Sequence, residues 1–234
     1  MPRPRLTFAA TAVALATTAC ALVGFTASGP ATTRAHTAAA AAAHTRDERP
    51  DPYAFLPKVA SFRLSSTTVA NGKPLPTAQL SGILGVPGGK DISPELSWCG
   101  FPAGTKSFVV SMYDPEAPTG SGFWHWVVAD IPVSATSLPA DAGALGSKTL
   151  PPGAFQLNAD AGTPRYIGGA PPAHSGIHDY YVTVTALDIP RTGLNATTSG
   201  ALLGFTIDSH TLARATMVFP TAAHLLVDVG ATQL

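Results

Sequence analysis

The chain has 234 residues, 14 Lys and Arg against 14 Asp and Glu, with 12% charged and 45% hydrophobic residues, the balance of a globular domain and not of a disordered chain. Zero net charge removes the basic surplus with which a protein displaces counterions from nucleic acid, so that partner class is excluded. Residues 1–45 hold 16 alanines, the three arginines Arg3, Arg5 and Arg34 and no acid, which leaves a mildly acidic remainder of 11 basic against 14 acidic residues.

Arg3 and Arg5 form a short basic start, Leu6 to Ala27 is an uncharged apolar and threonine-rich run, and small-residue cleavage candidates follow up to Ala43. This is the pattern of a secretory signal peptide. Residues 1–43 are therefore read as a signal and an alanine-rich processed region, which places the protein outside the cell or in the cell envelope. The 22-residue run also matches the length that spans a bilayer, about 20 apolar residues, so an uncleaved N-terminal anchor is the alternative. A lipoprotein site at Cys20 lacks the usual aliphatic residue in Thr17-Thr18-Ala19. Cleavage beyond Cys20 leaves Cys99 without a partner for an internal disulfide, and its place after Trp98 at a strand end predicts a small buried hydrophobe.

Residues 44–61 are charged and broken by proline, the composition of a linker; the domain proper is read as 62–220, and 221–234 as a C-terminal tail. Within the domain Gly and Pro cut the chain into short runs in which period-two alternation outscores helical spacing. Asn71-Gly72 is a hairpin signal. Ser107–Tyr113 sets Phe108, Val110 and Met112 on one face of a strand. Trp124–Ala129 alternates Trp124, Trp126 and Val128 against His125, Val127 and Ala129, and Tyr180–Leu187 repeats the pattern. Ser209–Ala215 reads as helical behind Asp208 or Ser209 as N-cap, with a second short helix near Ala196–Leu203. The class is mainly β, an antiparallel β-sandwich with a few short peripheral helices.

Three polar clusters stand at the ends of these apolar strands: Asp114 in Tyr113-Asp114-Pro115-Glu116-Ala117-Pro118, His125 between Trp124 and Trp126, and His178 with Tyr180 in Gly176-Ile177-His178-Asp179-Tyr180. Alternation puts His178 and Tyr180 on one face, and likewise His125 with Val127. The turn imposed by Pro115 and Pro118 is expected to leave the Asp114 carboxylate at the rim of the sheet. If the strands are neighbours, one pocket gains a carboxylate, two imidazoles and a phenol, a donor set suited to a phosphate. The other reading is three unrelated polar strand ends. Competing motifs are incomplete. Thr119-Gly120-Ser121-Gly122 lacks the spacing of a nucleophile elbow, and a Ser121, His125, Asp114 triad lacks any reason for Ser121 to reach His125. His174 and His178 are four apart on loop text with no third ligand, so no metal or other cofactor is expected.

At these residues the sequence resembles the phosphatidylethanolamine-binding protein family, the Raf kinase inhibitor-like proteins, in its bacterial form. The likeness runs from about Phe62 to Phe219. It is carried by Gly88-Gly89-Lys90-Asp91-Ile92-Ser93-Pro94-Glu95-Leu96-Ser97-Trp98, by Asp114-Pro115-Glu116-Ala117-Pro118, by Phe123-Trp124-His125-Trp126, and by Tyr166-Ile167-Gly168-Gly169-Ala170-Pro171-Pro172 followed by Gly176-Ile177-His178-Asp179-Tyr180. The resemblance implies a β-sandwich with a pocket for phosphate, phosphorylethanolamine or a phospholipid headgroup, lined here by Asp114, His125, Ala170, Pro171, His178 and Tyr180. The chain departs from the family pattern at Asp179, where Arg is common, at Asp91 for Asn, and at Glu116 for Asp. Asp179 is expected on the face opposite His178 and Tyr180, as an acidic rim.

These readings lead to an exported binding protein for a small anionic ligand, not an enzyme, touching membrane only through its N-terminal segment or a lipid ligand. An inhibitor or regulator acting by protein contact is the alternative. A hydrolase using Asp114 with His125 or His178 lacks a nucleophile.

Overall fold

A computed structural model describes residues 51–223. Residues 1–50, which include the expected signal peptide and Cys20, and residues 224–234 of the expected C-terminal tail lie outside the described residues. The strands are β1 (Arg63–Ser65), β2 (Leu96–Cys99), β3 (Ser107–Asp114), β4 (Phe123–Pro132), β5 (Ser137–Leu138), β6 (Phe155–Gln156), β7 (Ile177–Leu187) and β8 (Thr211–Ala222), with one α-helix, α1 (Gly200–Ile207), before β8. They form a three-stranded sheet β1-β2-β5 and a five-stranded sheet β6-β4-β3-β7-β8. Every strand pairing is antiparallel, so the architecture is the mainly β one expected from alternation.

The inner face of the large sheet packs on the small one. Phe108, Val110 and Met112 of β3 meet Trp126 and Val128 of β4, Val182 and Val184 of β7, and Leu96, Trp98 and Leu138 of the small sheet in one buried cluster. The outer face is covered by α1. Its Leu203 and Ile207 close over Val109, Val127, Ala129 and Leu187. Ser199 caps the helix by accepting from the Leu202 N–H at 3.1 Å. Gly200 is required there, because a Cβ would stand 2.4 Å from the Trp124 ring.

Three expectations fail for physical reasons. Ser209–Ala215 is not a helix: Asp208–His210 is a short 3-10 turn and Thr211 begins β8. Its helix formers are overruled by tertiary packing. Ala213, Ala215, Met217 and Phe219 alternate into the core, and burying Met and Phe is worth about 1.5–3 kcal/mol each, against tenths of a kcal/mol per residue of helix preference. The helix that does form lies at Gly200–Ile207, overlapping the expected Ala196–Leu203. Asn71-Gly72 turns the chain, with Gly72 at φ 76°, but joins no hairpin. It docks on β8, where Gly72 N–H donates to the Val218 carbonyl and Asn71 Oδ1 accepts from Val218 N–H, both at 2.8 Å. Cys99 is exposed, because Trp98 takes the inward position beside it.

Candidate ligand-binding site

β4, β3 and β7 are adjacent, which brings the three polar strand ends together. Asp114 closes β3 opposite Phe123. Tyr180 lies on β7 one step beyond the Tyr113–Tyr181 pair, and so beside Asp114.

His125 reaches this group through an irregularity that strict alternation does not foresee. Met112 pairs with Trp126 and Tyr113 with Trp124, so His125 is an extra residue, a β-bulge. Beyond the bulge the faces exchange. Trp124 packs outward with the cluster of Val127, while His125 turns inward, its ring centroid 5.1 Å from that of Tyr180. The expectation that His125 shares a face with Val127 is thus wrong, and the bulge is what makes the site.

The polar groups are sunk, not perched at a rim. Tyr180 is 0%, His178 1%, Asp114 2% and His125 3% exposed, so Asp114 is not the rim carboxylate expected from its proline turn. Its Oδ2 lies 2.7 Å from His178 Nδ1, which donates to it, and its Oδ1 accepts from Glu116 N–H at 2.9 Å. The other nitrogen of His178, Nε2, lies 2.7 Å from Ser175 Oγ, and Ser175 Oγ is also 2.8 Å from the Pro172 carbonyl. Both nitrogens of His178 are therefore committed within the protein.

His125 is different. Its Nδ1 donates to the Ile167 carbonyl at 3.0 Å, and Nε2 makes no hydrogen bond among the described residues. Burial holds its pKa below the ordinary 6.5, against the opposing pull of the Asp114 charge and of the Ile167 and Gly168 carbonyls. The ring is neutral at pH 7, and with the proton on Nδ1 its Nε2 is an acceptor. Tyr180 is pushed far up by burial and then by the neighbouring Asp114 charge, so it stays a phenol. Its oxygen accepts from Ala170 N–H at 3.0 Å. Ala170 is thus held against the site, and Pro171 next to it is buried.

This segment is placed by Gly168, where a Cβ would lie 2.3 Å from the Leu80 carbonyl carbon; only glycine lets the two backbones meet. Gly168 N–H donates to Asp91 Oδ1 at 2.8 Å. The same carboxylate accepts from Ser81 Oγ at 2.7 Å and from Ile83 N–H at 2.9 Å. Three donors converge on Asp91, whose φ of 52° suits Asp or Asn. An amide there keeps one oxygen but turns an N–H₂ toward a donor. Asp91→Asn is expected to cost about 1 kcal/mol, because Ile83 N–H loses its acceptor on a residue that is half exposed, read as a lower midpoint in urea; an unchanged midpoint would show that water replaces the carboxylate.

The other sequence-predicted groups take their places around this centre. Asp179 is on the opposite face, as alternation requires, but is 3% exposed, not a rim. Its N–H donates to Glu116 Oε2 at 3.1 Å. Burial, with the charges of Asp114 and Asp179, raises the pKa of Glu116. Ser121 is exposed and its carbonyl accepts from Tyr113 Oη, so the Ser121, His125, Asp114 triad does not assemble. His174 is exposed on the loop at φ 66°. Among the described residues no three His, Cys, Asp or Glu side chains gather as metal ligands. The residue that sequence reasoning missed is Ser175; the turn signal Pro172–Gly176, three residues before His178, is what brings its hydroxyl back onto that ring.

Residues 65–221 match the family model of the phosphatidylethanolamine-binding protein. The chain is 40% identical to the UPF0098 protein YbcL of Escherichia coli K12 over 161 residues, 69% of this chain and 87% of that one. It is 44% identical to the UPF0098 protein YbhB of the same organism over 156 residues, 67% of this chain and 97% of that one. The crystal structure of E. coli YbcL, described as a new member of the mammalian PEBP family, superposes with a TM-score of 0.66 at 39% identity, covering 69% of this chain and 98% of that one.

Proposed function

The chain belongs to the phosphatidylethanolamine-binding protein family, and from that premise we propose that it captures a small phosphorylated ligand, a monoanion or a zwitterion such as phosphorylethanolamine, at Asp114, His125 and Tyr180. The observation that carries this reading is the uncommitted Nε2 of a buried neutral histidine beside a buried carboxylate. At neutral pH both are acceptors. They select a ligand that brings its own protons, an ammonium or a P–OH group whose proton passes to His125 Nε2 on binding and leaves an imidazolium against the phosphoryl oxygens, whereas a free dianion brings none and is opposed by Asp114. Tyr180 supplies its hydroxyl and Ala170–Pro171 the wall. His178 orients Asp114 and does not hold the ligand itself.

The protein is proposed as a binder and not an enzyme. Ser175, His178 and Asp114 stand in the order of a hydrolytic relay, but the Ser175 hydroxyl also reaches the Pro172 carbonyl, and we read the chain of bonds as a clasp that holds the double-proline loop on β7. Titration calorimetry with phosphorylethanolamine and inorganic phosphate tests the proposal. Phosphorylethanolamine binds the more tightly, and Tyr180→Phe weakens it about tenfold, the loss of one good hydrogen bond. No binding of either compound, or equal binding by Tyr180→Phe, would remove the site.

The basic start and apolar run support export, with the mature chain beginning between Ala27 and Ala43. N-terminal sequencing of secreted protein is expected to find a start in that interval. Met1 retained in the membrane fraction would establish the anchor instead. Among the described residues no helix is long and apolar enough to cross a membrane.

A further inference from the structure

The outer face of the large sheet holds a second concavity, remote from the anion site. β3 separates the two: Asp114 belongs to the inner face, whereas Val109, Ser111 and Tyr113 look outward. Between these outward residues, α1 and residues 51–56 lies a cavity of about 440 Å³, within the ~300–1,000 Å³ typical of small-molecule sites. Its floor is apolar, with Val109, Trp124, Leu203 and Ile207. Its mouth carries Phe55 and Phe205, which are 93% and 82% exposed. Two large side chains facing water on either side of an apolar opening leave a hydrophobic surface that neither the sheet nor α1 covers.

The polar atoms of the cavity mark one end. Arg214, from the outer face of β8, is the cation in its lining. One of its nitrogens, Nη1, donates to the Pro57 carbonyl at 3.1 Å. Asp51 lines the same cavity and Asp208 is close enough to act on the guanidinium, yet among the described residues no carboxylate forms an ion pair with it. Beside it the Tyr53 hydroxyl is buried against the Ser111 and Thr183 hydroxyls, so Tyr53 closes this end of the groove and leaves Arg214 as its polar contact. An apolar floor, an apolar mouth and a guanidinium that meets one carbonyl and no carboxylate among the described residues describe the complement of one kind of molecule, a chain of methylenes ending in an anion.

We propose that this outer groove binds a single-chain anionic amphiphile, with its alkyl chain on Val109, Trp124 and Leu203 and its carboxylate or equivalent head at Arg214. The site stands independently of the anion pocket. Trp124 is its own reporter, because the other two tryptophans, Trp98 and Trp126, are buried in the inner core.

The test uses the full-length chain with dodecanoate as probe and dodecanol as its uncharged counterpart, followed by tryptophan fluorescence and calorimetry. Dodecanoate is expected to bind one to one with a change in Trp124 emission. Arg214→Gln weakens dodecanoate about tenfold or more, as the loss of a charge-assisted hydrogen bond entails, and leaves dodecanol unchanged. Gly204→Leu fills the groove, since a Cβ at Gly204 meets nothing within 4 Å. It is expected to abolish binding of both probes while the melting temperature holds and phosphorylethanolamine still binds. Absence of saturable binding overturns the proposal, as does binding that both variants retain. Competition between dodecanoate and phosphorylethanolamine overturns it too, by placing the probe in the anion pocket. A dimer that excludes dodecanoate would assign the groove to a second copy of the chain and equally overturn it.

Discussion

Asp114→Ala is expected to lower the folding free energy by about 2–6 kcal/mol, at about 1–3 kcal/mol for each of the two donors that lose their acceptor. The substitution leaves His178 Nδ1 and Glu116 N–H without their acceptor at a place where the His178 and Asp114 side chains are 1% and 3% exposed. In a domain of this size each kcal/mol moves the melting temperature by about 2–4 °C, so the loss is large on any scan. Asp114→Asn is expected to be much milder. The amide oxygen still accepts from Glu116 N–H, and the amide N–H₂ donates to His178 Nδ1 once the ring carries its proton on Nε2. That proton then donates to Ser175 Oγ, whose own proton passes to the Pro172 carbonyl. Every group keeps a partner. Urea unfolding of the two variants checks this: comparable losses for Ala and Asn would mean that charge, and not hydrogen-bond satisfaction, holds the cluster together.

The second large effect concerns pH and His125. Its folded pKa lies below the ordinary 6.5 because burial penalises the imidazolium. Above that ordinary value the ring is neutral whether folded or unfolded, and it contributes no pH dependence. As pH falls below it, the unfolded chain takes up a proton that the folded chain refuses. Stability then decreases, with a slope from this group approaching about 1.4 kcal/mol per pH unit, until the folded pKa is reached. A bound phosphoryl group reverses the penalty, because an anion against Nε2 favours the protonated ring. Affinity for phosphorylethanolamine therefore rises as pH falls from 7 toward 5, by up to about tenfold per unit over the interval between the free and bound pKa values. His125→Gln is expected to flatten the component of both profiles that comes from the ring. Urea midpoints and calorimetric affinities measured at half-unit steps would decide the matter; unchanged profiles in His125→Gln would assign the dependence to other groups.

The parts of this structure that alternation controls were readable in the chain. Phe108, Val110 and Met112 specify β3, and the run from Tyr180 to Leu187 specifies β7, because a one-residue error would expose a core. The motif resemblance collected Asp114, His125, Ala170, Pro171, His178 and Tyr180, and the strands do bring the four polar members together. What was not readable depends on contacts distant in sequence. The bulge at His125 exists only as a mismatch of register against β3. Ser209–Ala215 has helical residues, and only the neighbouring β7 makes a strand of them. The division of labour between two similar histidines was equally hidden. Ser175 and Asp114 take both nitrogens of His178, whereas the Ile167 carbonyl takes one of His125. The Asp91 carboxylate makes sense only once Ser81, Ile83 and Gly168 are seen around it.

In the proposed site the ligand meets His125 and not His178. Histidine-selective ¹⁵N NMR, with phosphorylethanolamine titrated into the protein at pH 7, addresses this most directly. The His125 Nε2 signal is expected to move in a saturable way from the resonance of an unprotonated nitrogen toward that of a protonated one, while both nitrogens of His178 shift only slightly because Asp114 and Ser175 continue to hold them. A His125 signal that stays in place while His178 responds would contradict this expectation.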